Sequence, residues 1–286
     1  MSWEARINGA LRRVTGLELR HVPRQSPRSA PTRRPAHRPQ PDRLLTAPVF
    51  VLSSVRSGST LLRVLLDSHP ELHSPVELHL RGLKVNETSK YVSRSMRALG
   101  ISRNELEHLL WDRVLHHELR HSGKRYIVNK TPSDALIWRR IVKCWPDARF
   151  IYLLRHPVAT ARSWQEARPY LSMDEAIADI LRYMNAVEEA RTNHPGLTVR
   201  YEDLTADPER ETRRICDFLE VEWDPRMLDY GQDDHGGFRP GLGDWGEQIK
   251  SGQIRPARTP EDTVVPEALR EIAVAWGYLR EPTRAL

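Results

Sequence analysis

Residues Pro48 to Thr60 read P-V-F-V-L-S-S-V-R-S-G-S-T, and the stretch behind them, L-L-R-V-L-L-D-S-H-P, has the apolar density of a buried helix. A short branched-apolar run that breaks into small hydroxyl residues around one glycine, and then into a helix, is a buried strand, a tight turn and a helix in succession. Such a junction gathers backbone N–H groups and the positive end of the helix at one point. That point favours an anion, so the stretch constrains fold class and chemistry together. An ordinary phosphate loop, G-x-x-x-x-G-K-[ST], carries a lysine just before its last hydroxyl. Here the order is Arg56-Ser57-Gly58-Ser59-Thr60, with the cation ahead of the glycine and no lysine behind it.

The rest of the chain alternates strand and helix. Tyr126 to Lys130 is a short strand, and Ser133 is expected to cap a helix carrying Leu136, Ile137, Ile141 and Val142. Arg149 to Leu154, the most apolar run, reads as a central parallel strand and ends on Arg155. A helix follows from His156 to about Arg168, a capping box at Ser172–Glu175 opens another to about Asn193, Gly196 to Tyr201 is a strand, and Asp207-Pro208 starts the next helix. Residues 103–121 form a helix stopped by Ser122-Gly123, and Pro266 to Trp276 form a last one, closed by Gly277. Pro70 to Leu83, which holds Glu77 and His79, has no regular pattern. Gly231 to Arg258 is long, polar and without period, which marks a functional lid. The fold class is therefore α/β: one domain with a P-loop-like parallel sheet flanked by helices, ligands lying beyond the carboxyl ends of the strands.

The net charge of +6 invites a nucleic-acid reading, but residues 1–43 hold ten Arg against Glu4, Glu18 and Asp42, and the remaining 34 basic and 35 acidic groups nearly cancel. A neutral core and a basic tether, residues 21–43, without Phe, Trp or Tyr argue against nucleic acid. Trp3, Ile7, Leu11, Val14 and Leu17 lie at helical spacing, and His21 to Arg43 is a proline- and arginine-rich tether. The chain thus divides into an extension, 1–43, and a domain, 44–286. The amphipathic helix needs a surface: its own core or a second subunit, which leaves a homodimer open, or else a partner protein or an anionic surface. Cys144 and Cys216, both on helical segments, read as buried thiols of a reducing compartment. With no apolar leader and no apolar run of membrane length, a cytoplasmic protein without a membrane span is expected.

The loop order R-S-G-S-T after V-F-V-L resembles the 5′-phosphosulfate loop of sulfotransferases that use 3′-phosphoadenosine 5′-phosphosulfate (PAPS). Arg155 and, eight residues on, Ser163, in R-H-P-V-A-T-A-R-S, match the spacing of that family's 3′-phosphate motif. Tyr201 in Y-E-D-L resembles the segment whose tyrosine contacts the adenosine. Arg239-Pro240-Gly241-Leu242-Gly243-Asp244-Trp245 resembles the C-terminal R-K-G-x-x-G-D-W that folds over the nucleotide, with Pro240 in place of the lysine and one residue fewer. The resemblance covers residues 48 to 258. It implies a sulfotransferase fold, PAPS as donor, adenosine 3′,5′-bisphosphate (PAP) as product, no metal, and a small-molecule, sugar or natural-product acceptor bearing a hydroxyl. It also implies that Arg56, Ser57, Gly58, Ser59, Thr60, Arg155, Ser163, Tyr201, Arg239 and Gly241 hold the donor.

Lys130, in N-K-T-P, resembles both the K-T-H of cytosolic sulfotransferases and the N-K-D-P of tyrosylprotein sulfotransferases, where a lysine bridges sulfate and leaving phosphate. Pro132 stands where the cytosolic enzymes keep their histidine base. Tyrosylprotein sulfotransferases instead follow the loop with D-A-H-P and place a glutamate 21 residues after the loop arginine. D-S-H-P follows here and Glu77 stands at that place, with His79 as reserve base. The catalytic group is then Glu77, Lys130, Arg56 and His79. Two rival readings are a nucleotide-dependent kinase, which the missing loop lysine disfavours, and a zinc hydrolase through His117-Glu118-x-x-His121, which the helix stop at Ser122-Gly123 and the lack of a third ligand disfavour.

Overall fold

A computed structural model of the chain describes residues 43–232, 247–257 and 264–280. The N-terminal helix, all of the tether before Arg43, and Arg239 and Gly241 lie outside the described residues. Five strands, β1 (Val49–Ser53), β2 (Leu72–His73), β3 (Tyr126–Lys130), β4 (Arg149–Leu154) and β5 (Leu197–Arg200), form one parallel sheet in the order β2-β3-β1-β4-β5. Helices α1 (Ser59–Asp67), α2 (Lys90–Ala98), α3 (Arg103–Ser122), α4 (Trp138–Cys144), α5 (Pro157–Ala167), α6 (Met173–Asn193), α7 (Tyr201–Ala206), α8 (Pro208–Leu219), α9 (Glu247–Lys250) and α10 (Glu267–Ala275) accompany it. No helix among the described residues is long and apolar enough to cross a membrane.

β1 is apolar at every position but its last because both of its faces are covered. Val49 and Val51 pack with Leu61, Leu65 and Leu66 of α1, and with Ile215 and Cys216 of α8, while Phe50 and Leu52 share the opposite core with Trp111, Trp145 and Ile180. Phe50 is fully buried, with ring centroids 5.5 Å from Trp145 and 6.0 Å from Phe150, so truncation to alanine there costs about 3–5 kcal/mol. The two cysteines are free and buried, and burial pushes both thiols up to about 12.

Arg149–Leu154 lies inside the sheet as β4, paired with β1 on one side and β5 on the other. Other expectations need correction. Ser133 caps nothing: Thr131 occupies the N-cap of a 3-10 turn, Pro132–Ile137, because Pro132 has its φ preset and no N–H to satisfy, and so starts the turn early. Helix α4 begins only at Trp138. The irregular stretch 70–83 contains β2, whose pairing Leu72↔Tyr126 and His73↔Ile127 is too short to show a period, and a 3-10 turn at Leu80–Gly82. Of the stretch expected to be a lid, residues 233–246 and 258 lie outside the described residues; in the rest α9 is regular, the Tyr230 hydroxyl donates to the Gln253 carbonyl at 3.3 Å, and Ala257 N donates to Thr205 Oγ1 at 3.0 Å.

Candidate active site

The carboxyl ends of β1, β3, β4 and β5 come out along one edge, and the chain's order reverses around β1, the position where doubly wound sheets bind ligands. β1 releases the chain into residues 54–58, where Arg56 (φ 58°) and Gly58 (φ 83°) are both left-handed. Left-handed residues on either side of Ser57 fold the backbone into a concave turn of the kind that collects amides around an anion. Ser57 Oγ donates to the Ser54 carbonyl at 2.7 Å and ties the turn to its own start. α1 then begins at Ser59 and Thr60 without a side-chain cap, unlike α3 and α6, which Ser102 and Ser172 cap. A Cβ at residue 58 would lie 2.1 Å from the Tyr201 ring, so only glycine admits that tyrosine.

Tyr201 is reached because β5 ends at Arg200 and α7 starts on the next residue. The Arg155 guanidinium sits 4.7 Å from the Tyr201 ring centroid and donates from Nη1 to the Arg56 carbonyl at 2.7 Å. Arg56 Nε in turn donates to Ser163 Oγ at 3.1 Å. Arg155 and Ser163 therefore meet through Arg56, and the Arg155 Nε remains buried with no hydrogen-bond partner. The hydroxyls of Ser53 and Ser54 are likewise buried and unpartnered.

On the other side of β1, Lys130 is the last residue of β3, opposite Val51, and its side chain has no exposed area. Its Nζ lies 2.5 Å from Glu77 Oε1, and Glu77 Oε2 lies 3.6 Å from His79 Nε2. Glu77 arrives there on a segment pinned at both ends. Before it, Ser74 N donates to Asp67 Oδ1, Ser74 Oγ donates to the Val128 carbonyl, and Arg63 donates to the Ser74 carbonyl. After it, Trp111 Nε1 donates to the Leu83 carbonyl, and Glu107 holds Lys84 and Arg140. His79 is left-handed (φ 48°) and about half exposed, whereas the Glu77 side chain is 11% exposed.

Three groups escaped the sequence reading. Arg63 is 1% exposed in the otherwise apolar helix α1; burial pulls its pKa down while Asp67 and Glu77 pull it up. A lone arginine on a buried apolar face was the available signal. Asn129 and Asp134 form a buried pair at 2.6 Å beside Lys130. Glu202, next to Tyr201, accepts from His156 N at 2.9 Å and from the Tyr278 hydroxyl at 2.5 Å, which joins the segment after α10 to the turn behind Arg155. His117 and His121 instead lie exposed at the end of α3, ring centroids 4.0 Å apart, with Glu118 directed at His73, 3.7 Å away. Among the described residues no group of three possible metal ligands gathers there or elsewhere.

A turn of amides and two arginines on one side of β1, and a carboxylate paired with a buried ammonium on the other, can bind a multiply charged anion and take a proton beside it. Known proteins resemble the chain over most of this domain. Protein-tyrosine sulfotransferase A of Caenorhabditis elegans is 23% identical over 203 residues, 65% of this chain and 53% of that protein. The nodulation protein NoeE of Sinorhizobium fredii is 26% identical over 207 residues, 58% of this chain and 48% of that protein. The chain thus spans about half the length of these curated relatives. Among solved structures, the sulfotransferase domain of the Synechococcus PCC 7002 olefin synthase superposes with a TM-score of 0.60 at 26% identity, covering 84% of this chain and 98% of that one. A sulfotransferase domain from the curacin biosynthetic pathway shares the fold at a TM-score of 0.58 and 23% identity. Residues 48–225, more than half of the chain, match the model of the Sulfotransferase family, and the chain belongs to that family.

Proposed function

We propose that the chain moves the sulfuryl group of PAPS to an acceptor hydroxyl by in-line displacement, with Glu77 as general base. The observation that carries this reading is the Glu77–Lys130 contact of 2.5 Å on the far side of β1 from the Arg56 turn, because it sets a proton acceptor beside a cation at the same sheet edge. The donor fits the residues present: the α1 amides lack a side-chain cap, Arg155 keeps a buried, unpartnered Nε, and Gly58 lies flat against Tyr201. Arg56, Ser57, Gly58, Ser59 and Thr60 would hold the 5′-phosphosulfate, Arg155 and Ser163 the 3′-phosphate, and Tyr201 the adenosine. When bound, PAPS supplies an activated sulfuryl group whose S–O bond to phosphate is the one that breaks.

Glu77 takes the acceptor's proton as the acceptor oxygen bonds to sulfur, and the electron pair of the broken S–O bond stays on the phosphate. Lys130 and Arg56 meet that growing charge with groups already in place, the largest source of acceleration in transfers of this kind. His79, at the exposed edge of Glu77, orients it and touches the acceptor. The relatives run from a protein-tyrosine sulfotransferase to a domain of an olefin synthase, so the acceptor is a choice made outside the donor site, and we assign a small-molecule hydroxyl here.

The test is calorimetric titration with adenosine 3′,5′-bisphosphate and adenosine 5′-phosphate. The bisphosphate should bind at least tenfold more tightly in the wild type, since charge-assisted hydrogen bonds are worth roughly 1.5–3 kcal/mol each, and Arg155→Ala should erase most of that margin. Equal margins in both proteins, or turnover with ATP and magnesium in place of PAPS, would overturn the assignment.

A further inference from the structure

β3 ends in Asn129-Lys130, and the chain turns through Thr131 into the Pro132–Ile137 turn that carries Asp134. Asn129 and Asp134 are each 1% exposed, and Asn129 Nδ2 donates to Asp134 Oδ2 at 2.6 Å. Their other oxygens, Asn129 Oδ1 and Asp134 Oδ1, are both buried and without a partner. An amide oxygen and a carboxylate oxygen cannot satisfy one another, because neither carries a hydrogen. With a proton the carboxyl is donor and acceptor at once, and an acid and an amide are complementary on both edges. The ionised alternative leaves a carboxylate at full burial with a single hydrogen bond, which is costly. Burial, and after it the nearby charge of Glu77, push the Asp134 carboxyl up to about 8, while the Asn129 hydrogen bond and Lys130 pull the other way.

We propose that Asp134 works as a neutral carboxylic acid which, paired with Asn129, sets the turn that presents Lys130, and that loss of its proton weakens the hold on anions at the Lys130 end of the site. Asp134 is a positioning residue: three residues, Thr131 to Ser133, separate it from the strand end that it braces. Charges facing the turn from its neighbours are few. Glu77 and Lys130 act on it directly. From α4 and α6, Arg139 and Glu189 pair with each other at the surface, and Arg140 is held by Glu107. Arg81, on the neighbouring Leu80–Gly82 turn, is exposed. An ionised Asp134 would therefore add a second negative charge, after that of Glu77, beside Lys130 and set it against any phosphate or sulfate bound there.

The inference rests on the proposed donor only for its ligand. Adenosine 3′,5′-bisphosphate is titrated by calorimetry into wild type, Asp134→Asn and Asp134→Ala from pH 7 to pH 9.5, where its phosphates no longer change charge, and thermal midpoints are read from pH 5 to pH 9.5. Wild-type affinity should fall about tenfold through pH 8. Asp134→Asn, which keeps the shape and has no proton to lose, should hold the wild-type pH 7 affinity throughout, and Asp134→Ala should be weak at every pH. An acid whose folded pKa is raised stabilises below its unfolded value and loses that contribution as pH rises through the folded one. The wild-type midpoint should thus fall between pH 5 and about pH 8 and then level, and Asp134→Asn should lack that slope and melt higher at pH 8. Binding by Asp134→Asn as weak as that of Asp134→Ala at pH 7, or a wild-type pH dependence preserved in Asp134→Asn, would overturn the proposal. If the wild type does not bind the bisphosphate at all, the donor reading fails and the melting series alone decides: a shared slope in wild type and Asp134→Asn sinks the role of Asp134.

Discussion

Arg56 and Arg155 stand just past the carboxyl ends of β1 and β4, strands paired on both sides within the sheet, with Ser163 on the helix after β4 and Tyr201 just past the end of the four-residue strand β5, whereas Glu77 and His79 ride on an irregular segment beyond the two-residue edge strand β2. On the first side the groups touch one another through short, local links: Arg155 to the Arg56 carbonyl, Arg56 to Ser163, Gly58 to Tyr201. On the second side the segment is held by side chains alone, Arg63 and Ser74 before it and Trp111 and Glu107 after it. Beyond that segment lies α2, which has no buried residue and leaves Tyr91 66% and Leu99 67% exposed. The difference teaches that the side proposed to hold the donor is built into the sheet, and the side proposed to meet the acceptor is attached to it. Acceptors can then change between relatives by altering the attached side without disturbing the sheet edge.

Lys130 is the residue common to both sides, so its loss is expected to have the largest effect. Lys130→Ala should lower turnover by about 10³-fold or more, since a preorganised cation is removed from the site of growing charge. It should also destabilise the fold by stranding Glu77, whose side chain is 11% exposed. Transfer of labelled sulfate within tenfold of wild type would show that the two sides do not share this lysine. Gly58→Ala strikes only the sheet side. At φ 83° and with the Tyr201 ring 2.1 Å from the added carbon, it should cost more than about 1 kcal/mol in stability. We expect bisphosphate affinity to fall by roughly 10- to 100-fold, the range set by one displaced charge-assisted contact. A variant with unchanged calorimetry would mean that the Tyr201 contact is only packing. The smallest effect belongs to Ser163→Ala, which removes the acceptor of the Arg56 Nε hydrogen bond. It should weaken bisphosphate binding about tenfold and leave kcat at saturating donor nearly unchanged; a larger loss in kcat than in affinity would move Ser163 from binding to chemistry.

The sheet side was legible from the chain because its residues fall in contiguous runs, R-S-G-S-T and R-H-P-V-A-T-A-R-S, whose spacing a strand and one helix translate directly into space. The attached side was legible only by resemblance. Glu77 meets Lys130 across 53 residues of sequence, and no local period reports such a contact. The buried Arg63 was visible as an anomaly in an apolar helix, yet its partners, the Ser74 carbonyl and the charge of Glu77, were not. Ser133 misled because the usual cap preference was overridden by Pro132 directly ahead of it. The Asn129–Asp134 pair could not be foreseen, since two polar residues five apart across a strand–turn boundary are ordinarily solvated.

The separation of the two sides is tested most directly by Glu77→Gln, assayed for sulfate transfer from PAPS and titrated with adenosine 3′,5′-bisphosphate in parallel, with His79→Ala beside it. Losing a general base costs about 10²–10⁴-fold, so kcat should fall by that amount while the bisphosphate Kd stays within about twofold of wild type, because Glu77 serves the acceptor and not the nucleotide; His79→Ala should cost less. Near-wild-type turnover in Glu77→Gln together with a dead His79→Ala would contradict this account and make His79 the base.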